Sequence, residues 1–382
     1  MGLFAVQSFW GFTWATLPLY LKGFAESNTV TGIMLSTAGV TGLVLPVLSG
    51  ALSDRINTPW GRRRPLIAAG WFLTCAMLLL MPHLGSLPAA LPAMIIAYAG
   101  FFMAIGPYFS LLPDMVPATQ RGTASGVMFL VGGTGMLSYL FFAARLWDQS
   151  HLRPFLWTVG AIIVSSAVMC ISVSERPGPG VPVKRSGLIN EALRNRETAR
   201  FFAGMILWWV GLWMVSAFFV IACRDLFSVS TERAVRAFLI FNAAFVLFAL
   251  PSGILATRLG FKRVLVAALI FLAGGLLCIP LLKDYTASIP FLIITGAAYG
   301  AVIAVSYPFF LRLIPADKTA AFVGIYMACQ NGTLLLGPAI GGIILDRFGY
   351  TALFFSAAAF IIAGMGVLLT VRSGKSGAVT VI

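Results

Sequence analysis

The chain has 382 residues, of which 59% are hydrophobic and only 10% are charged, and its mean hydropathy is +0.95. Soluble proteins carry about 25% charged residues, so this chain cannot cover the surfaces of soluble domains with the few that it has. The composition excludes a water-soluble enzyme and also a disordered or fibrous chain. In a soluble protein, a net charge of +14 would suggest that nucleic acid is the binding partner. In this chain, the positions of the charges along the sequence are more informative than their sum.

Charged residues and Pro/Gly clusters divide the chain into twelve apolar runs. A helix needs about 20 apolar residues to cross a bilayer. The first run has no basic segment before it and no small-residue cleavage site, which is typical of a span rather than a signal peptide. The chain is therefore expected to be an all-α membrane protein with 12 transmembrane helices. We predict spans at 3–21, 29–52, 65–82, 91–112, 123–144, 154–173, 201–222, 235–256, 264–282, 288–311, 321–345 and 351–371.

The basic residues distinguish the two faces of the membrane. If both termini face the cytoplasm, 18 of the 26 Lys and Arg residues lie on the inside and 8 on the outside, while the acids divide evenly. An excess of Lys and Arg marks cytoplasmic loops. The basic balance therefore indicates topology, and we expect a protein of a bacterial cytoplasmic (inner) membrane with no nucleic-acid partner.

The two halves of the chain repeat each other. The segment from Gly50 to Arg55 recurs as Gly253 to Arg258, at the same place in its half and on the same membrane side. This arrangement predicts parallel repeats related by an axis along the membrane normal. We expect an N-terminal six-helix bundle over 1–173, a cytoplasmic linker over 174–200 and a C-terminal six-helix bundle over 201–382.

The residues after the second span resemble a family signature. Gly50-Ala51-Leu52-Ser53-Asp54-Arg55 is followed, after five residues, by Gly61-Arg62-Arg63-Arg64-Pro65. This pattern resembles the major facilitator superfamily, and the five-residue spacing resembles its sucrose/glycoside–cation symporter group. The resemblance covers essentially the whole chain. It implies the major facilitator fold, with two six-helix bundles that rock around a central site.

The same motif supplies candidate gate residues. Asp54 ends a helix at the predicted cytoplasmic face, where a carboxylate can meet a helix N-terminus or an arginine. The neighbouring arginines either bind carboxylates or head groups, or only enforce topology. In the second half, Thr257 stands where the acid would be. The candidate cytoplasmic gate comprises Gly50, Asp54, Arg55, Gly61, Arg62, Arg63, Arg64, Asp114, Arg121 and Arg258.

The resemblance also implies that spans 1, 4, 7 and 10 line the central path. Aromatic rings beside amides suit a sugar, because its faces stack on rings while its hydroxyls need hydrogen bonds. Packing, interfacial aromatic belts and amide bonds between helices are the alternative interpretations of these side chains. The candidate cavity residues are Gln7, Trp10, Trp14, Tyr98, Tyr108, Trp209, Trp213, Asn242, Tyr299, Tyr307, Gln330 and Asn331.

Ionisable residues are missing from the middle of the predicted spans. A charged substrate needs a countercharge there, so we expect a neutral one. A proton symporter usually needs a titratable group in the path, so coupling to a proton or cation and facilitated diffusion both stay open. Five scattered cysteines and two histidines supply no metal-ligand pattern or nucleophile constellation. We therefore expect no enzyme activity, no metal and no cofactor.

These inferences predict a secondary active or facilitative transporter for a neutral small solute, a sugar or glycoside, working as a monomer. Efflux of an amphipathic drug or metabolite is an alternative, because an apolar, aromatic cavity suits either cargo. A non-transporting assembly factor or sensor on the same fold is a second alternative. The long spacing between Arg55 and Gly61 favours the sugar.

Overall fold

The computed structural model describes residues 2–56, 58–117, 120–172, 195–314 and 319–372. Most of the predicted linker lies outside these residues. Within them, the regular elements are helices apart from an isolated bridge between Thr58 and Gly61. The helices are α1 (Gly2–Ala15), α2 (Leu17–Lys22), α3 (Asn28–Ser53), α4 (Arg64–Leu80), α5 (Leu87–Met115), α6 (Arg121–Phe142), α7 (Arg153–Ser172), α8 (Arg196–Leu226), α9 (Thr231–Leu259), α10 (Phe261–Cys278), α11 (Tyr285–Leu311) and α12 (Thr319–Thr370).

Ten of the described helical segments are long and apolar enough to cross a membrane. The predicted first span is not among them because it is broken at Thr16 into α1 and α2, with a proline in the first turn of α2. The last segment, Ile325–Thr370, holds 46 residues and is long enough for two crossings of a bilayer about 30 Å thick. With the broken first span counted once and the last segment divided in two, the twelve predicted crossings are confirmed.

Gly349 divides the last segment. Its φ of 78° and ψ of −175° are not helical, although helix continues on both sides. Only glycine adopts this backbone region without strain, because a Cβ would clash with the chain. This residue therefore separates the predicted eleventh and twelfth spans.

Large apolar side chains are exposed along the helices. Phe72 is 75% exposed, Leu250 73% and Ile171 85%. Contiguous exposure of this kind is unfavourable in water but expected where a helix faces lipid. The chain is an integral membrane protein, and exposed apolar side chains of this kind suit contact with hydrocarbon.

The described residues form two compact units. The first takes its described residues from Met1–Pro182, Ser216–Leu239 and Leu334–Arg347, and the second from Val183–Val215, Ile240–Thr333 and Phe348–Ile382. Each unit therefore draws on both halves of the sequence.

Aromatic rings and close backbone approaches fill the core of each unit. In the first unit, α1 packs on α6 and α7, and Phe9 of α1 stacks on Phe101 of α5 with ring centroids 4.2 Å apart. In the second unit, α10 packs on α11, and the rings of Phe201 and Phe310 stack at 5.5 Å. Within each unit, these contacts hold together helices that carry candidate residues.

Candidate functional site

Arg63 is the centre of an ion-pair cluster in the first unit. It precedes α4, and the residue is 6% exposed. Its Nη1 lies 2.7 Å from Oδ1 of Asp54, and its Nε lies 3.1 Å from Oδ2 of Asp114. Arg62 adds a second cation to Asp114, with Nη2 2.9 Å from Oδ2. The two acids follow α3 and end α5, so the cluster ties three helices together.

Arg63 also binds the end of α3 directly. Its Nη1 donates to the Gly50 carbonyl at 3.3 Å and to the Ser53 hydroxyl. The last carbonyls of a helix have no partner within the helix and carry its negative dipole end, so a cation there is stabilising. The forked guanidinium is suited to hold two carboxylates and these neutral acceptors at once.

The long spacing before the arginines forms a tight turn. The Gly61 amide donates to the Thr58 carbonyl at 2.9 Å, and the Thr58 hydroxyl donates to the Gly61 carbonyl at 2.7 Å. Gly61 has a φ of 102°, a conformation that glycine adopts without the penalty of a side chain. The turn places Arg62 and Arg63 where they reach the acids at the ends of α3 and α5.

The remaining gate candidates are Arg55, Arg64, Arg121 and Arg258. Arg55 is exposed and Arg64 begins α4 half-buried. The side chain of Arg121 lies outside the described residues. Arg258 belongs to the second unit, where it lines a cavity of about 490 Å³. Other cations line that cavity and none of its lining residues is acidic; the cations are Arg258, Lys262, Arg263 and Arg312.

In the first unit, the aromatic candidates on α1 form a stacked pair. Trp10 and Trp14 have ring centroids 5.6 Å apart and an interplanar angle of 6°. Gln7, one turn earlier, is half-buried against Gly132 of α6. Tyr98 is fully buried and Tyr108 is 6% exposed, so both lie in the packed interior of this unit.

The second unit contains a similar stacked pair on α8. Trp209 and Trp213 have centroids 5.1 Å apart at 19°, and Tyr299 of α11 meets Trp209 edge-on at 6.3 Å. The Trp213 indole N–H donates to the Thr333 hydroxyl at 3.0 Å. That hydroxyl donates in turn to the Gln330 carbonyl at 2.6 Å. Three helices therefore meet at this aromatic cluster.

The other candidates of the second unit differ in burial, and one of them belongs to a second ring pair. Asn242 is 3% exposed, while Tyr307 and Asn331 are half-buried. The Tyr307 ring lies 5.4 Å from that of Tyr326, whose hydroxyl is 3.1 Å from the Ser306 hydroxyl. The structure therefore brings Trp209, Trp213 and Tyr299 together, whereas Tyr307 belongs to a separate ring pair.

Sequence reasoning missed several hydroxyl residues of these groups. Ser53 belongs to the motif after the second span and is not among the gate candidates, yet it accepts from Arg63. Thr58 closes the turn before the arginines, and Thr333 holds the Trp213 indole. The Thr58-Pro59 and Gly61 pattern signals a turn, but no local pattern points from Thr333 to a residue 120 positions earlier.

Comparisons with known proteins agree on one family. A family model described as Major Facilitator Superfamily matches residues 1–244 and 227–380. Monocarboxylate transporter 2 of Homo sapiens is 24% identical over 372 residues, covering 85% of this chain and 75% of that protein. A sucrose transport protein of Oryza sativa subsp. japonica is 34% identical over 70 residues, covering 18% of this chain and 13% of that protein. The crystal structure of the nucleoside transporter NupG shares the fold, with a TM-score of 0.76 at 15% identity and 98% coverage of both chains.

Proposed function

Because the chain belongs to the major facilitator superfamily of membrane transporters, we propose that it moves a neutral small solute, a sugar or glycoside, by alternating access. The fold supplies two six-helix bundles, and small solutes are the cargo of this family. The proposal places both termini in the cytoplasm, because the face with most of the Lys and Arg is then inside.

One observation carries the choice of a neutral solute. In the described helices, each Asp, Glu, Lys, Arg and His lies within about two turns of the end of a crossing. A carboxylate at the bilayer centre is unfavourable by about 2.5–3.5 kcal/mol unless a cation meets it. The human relative is named for monocarboxylates, which are anions. In the interiors of the described helices, such an anion would meet no cation.

The aromatic clusters favour a sugar among neutral solutes. The Trp10–Trp14 and Trp209–Trp213 pairs each present indole rings on one helix face, at a spacing of four residues. The sequence places amides near them, with Gln7 one turn before Trp10 and Gln330 three positions before Thr333, the acceptor of the Trp213 indole. Indole faces suit the C–H faces of a pyranose, while amides and hydroxyls suit its oxygens.

Uptake by purified protein in liposomes tests this proposal. Labelled sucrose, a nucleoside and lactate are each supplied with and without a pH gradient. Saturable sucrose flux is expected, and its response to the gradient tells proton coupling from facilitated diffusion. Saturable lactate flux without sucrose flux would overturn the neutral-solute proposal, and export of an amphipathic dye alone would show efflux.

A matched pair of tryptophan variants connects the flux to the cluster. Trp213→Phe keeps an aromatic side chain, a phenyl ring in place of the indole, but removes the N–H that binds Thr333. Trp157→Phe is the control, since Trp157 is also half-buried but stacks on Phe142 outside the candidate set. Weaker sucrose affinity in the first variant alone supports the cluster, and equal affinities in both argue against it.

A further inference from the structure

The basic cavity of the second unit gathers cations from three helix ends. Its volume of about 490 Å³ is within the range of ligand-binding cavities. The cations come from the end of α9, the start of α10 and the residue after α11, and they are Arg258, Lys262, Arg263 and Arg312. Among the described residues, none of these four side chains has a carboxylate oxygen within 4 Å. The cavity is therefore suited to an anion.

The corresponding turn of the first half contains an acid that the second half lacks. Each turn has a glycine in a left-handed conformation before the next helix begins, with a φ of 102° at Gly61 and of 97° at Gly260. In the first half, Asp54 pairs with Arg63 at 2.7 Å. In the second half, Thr257 stands in place of that acid. The second half thus keeps the basic residues of the repeat without the carboxylate that neutralises them.

The start of α10 adds backbone donors to the cavity. Its N-cap, Gly260, has no side-chain oxygen to accept from the first amides, and the first turn contains no acid. The start of α3 differs, because Asp346 accepts there from the amides of Asn28 and Thr29 at 2.8 and 2.7 Å. The first amides of a helix have no partner within it and carry the positive end of its dipole. An anion in the cavity is therefore stabilised by α10 as well as by the side chains.

Two contacts hold cationic side chains at the cavity. Lys262 Nζ donates to the carbonyls of Leu369 and Val371 at the end of α12, at 2.8 and 2.6 Å. The guanidinium of Arg312 lies over the Phe261 ring, 4.1 Å from its centroid. Both contacts are made with neutral groups, so they orient the two cations and leave their charge for an anion.

Exposed apolar side chains continue from the rim of the cavity. Leu259, which lines it, is 51% exposed, and Leu255, one turn earlier on the same face of α9, is 46% exposed. Arg258 and Arg312 are exposed as well, so the cavity is open to its surroundings. A ligand that carries both a phosphate and apolar chains matches both surfaces, whereas a free phosphate ion matches only the cations.

We propose that this cavity binds the phosphate group of an anionic phospholipid, whose acyl chains lie along the exposed leucines of α9. The excess of Lys and Arg assigns this end of the helices to the cytoplasm, where the leaflet carries anionic lipids. Basic pockets between spanning helices at that face bind such head groups. The choice of leaflet rests on the proposed orientation, while the binding chemistry does not depend on it.

Native mass spectrometry of the purified protein in mild detergent measures the binding. The protein is titrated with phosphatidylglycerol, which is anionic, and with phosphatidylcholine, which carries a phosphate but no net charge. Arg258→Gln combined with Arg263→Gln removes two exposed cations of the cavity. Each basic residue near a lipid surface contributes about fivefold in affinity. We therefore expect phosphatidylglycerol to bind at least about tenfold more weakly to this double variant.

A second double variant provides the matched control. Arg153→Gln combined with Lys283→Gln removes the same charge at two exposed positions outside the cavity. Its affinity for phosphatidylglycerol should stay as in the parent. An equal loss in both double variants would show general attraction between opposite charges and would overturn the site.

A variant that adds an acid tests the cavity without removing a cation. Thr257→Asp places a carboxylate where the first half has Asp54, and this carboxylate competes with the phosphate for the cations. Affinity for phosphatidylglycerol should fall about fivefold without a fall in melting temperature, a combination that a folding defect does not produce. Thr257→Asn, which is neutral, should bind as the parent does. Unchanged affinity in Thr257→Asp would contradict the proposal.

Inorganic phosphate distinguishes a lipid from a free ion. Millimolar phosphate should leave phosphatidylglycerol bound, because the ion lacks the acyl chains. Displacement of the lipid by inorganic phosphate, or equal affinity for phosphatidylcholine, would overturn the assignment to an anionic lipid. The titration needs no transported solute, so the lipid site stands or fails independently of the sugar.

Discussion

Replacing Asp54 and Asp114 with asparagine, singly and together, tests whether they share one buried cation. The Asp54 side chain is 41% exposed and gives Arg63 one ion pair, so Asp54→Asn should lower the free energy of unfolding by about 1 kcal/mol. The Asp114 side chain is 31% exposed and binds both Arg62 and Arg63. Asp114→Asn should therefore lower the free energy of unfolding by about 2 kcal/mol.

The double replacement has a larger effect than the sum. The Arg63 side chain is 7% exposed, and each single variant leaves it one carboxylate. The double variant removes both of these carboxylates from Arg63. Removing the carboxylate partners of a buried charge destabilises by about 3–5 kcal/mol, so we expect a total loss of about 5 kcal/mol. The coupling between the two positions is then about 2 kcal/mol, in the range for groups of one network.

Equilibrium unfolding in mixed micelles, followed by tryptophan fluorescence, measures these differences. Glu232→Gln is the control, because it breaks an exposed pair with Arg236 on α9 and should change stability by less than about 1 kcal/mol. Additivity of the two single changes within about 0.5 kcal/mol would refute the shared cation.

The remaining predictions concern flux, affinity and backbone strain. Asp54→Asn should keep the fold and slow uptake at least about tenfold, matching a gate contribution of about 1.4 kcal/mol; normal initial rates in liposomes would contradict the gate. Thr333→Val should weaken solute affinity about fivefold to tenfold, because it removes the hydroxyl that accepts from the Trp213 indole; binding calorimetry measures this. Gly349→Ala should lower thermal stability by about 1–2 kcal/mol, since φ there is 78°; an unchanged melting temperature would show that the turn accommodates a side chain.

Much of the fold follows from local sequence. Runs of apolar residues of bilayer length predicted all twelve crossings, because hydrocarbon thickness sets the length of a spanning helix. The breaks at Thr16 and Gly349 were not predicted in this form. The break at Thr16 lies inside a single apolar run, so hydropathy does not show it. The break at Gly349 is a change of backbone conformation, which hydropathy does not report.

The candidate site was predictable where the motif is local and hidden where it depends on distant partners. The motif predicted that Asp54 ends a helix where its carboxylate can meet an arginine, and the structure pairs it with Arg63. Asp346 is one acid among several near helix ends, and nothing beside it in the sequence indicates that its donors lie more than 300 positions earlier. Contacts of that separation depend on how whole helices pack, which no short pattern contains.

Helix α3 is held at both ends by charges that complement its dipole. It has 26 residues and is therefore about 39 Å long. At its first end Asp346 accepts from the amides of Asn28 and Thr29, and at its last end Arg63 donates to the Gly50 carbonyl. Charges from two other segments thus satisfy backbone groups that have no partner within this membrane-spanning helix.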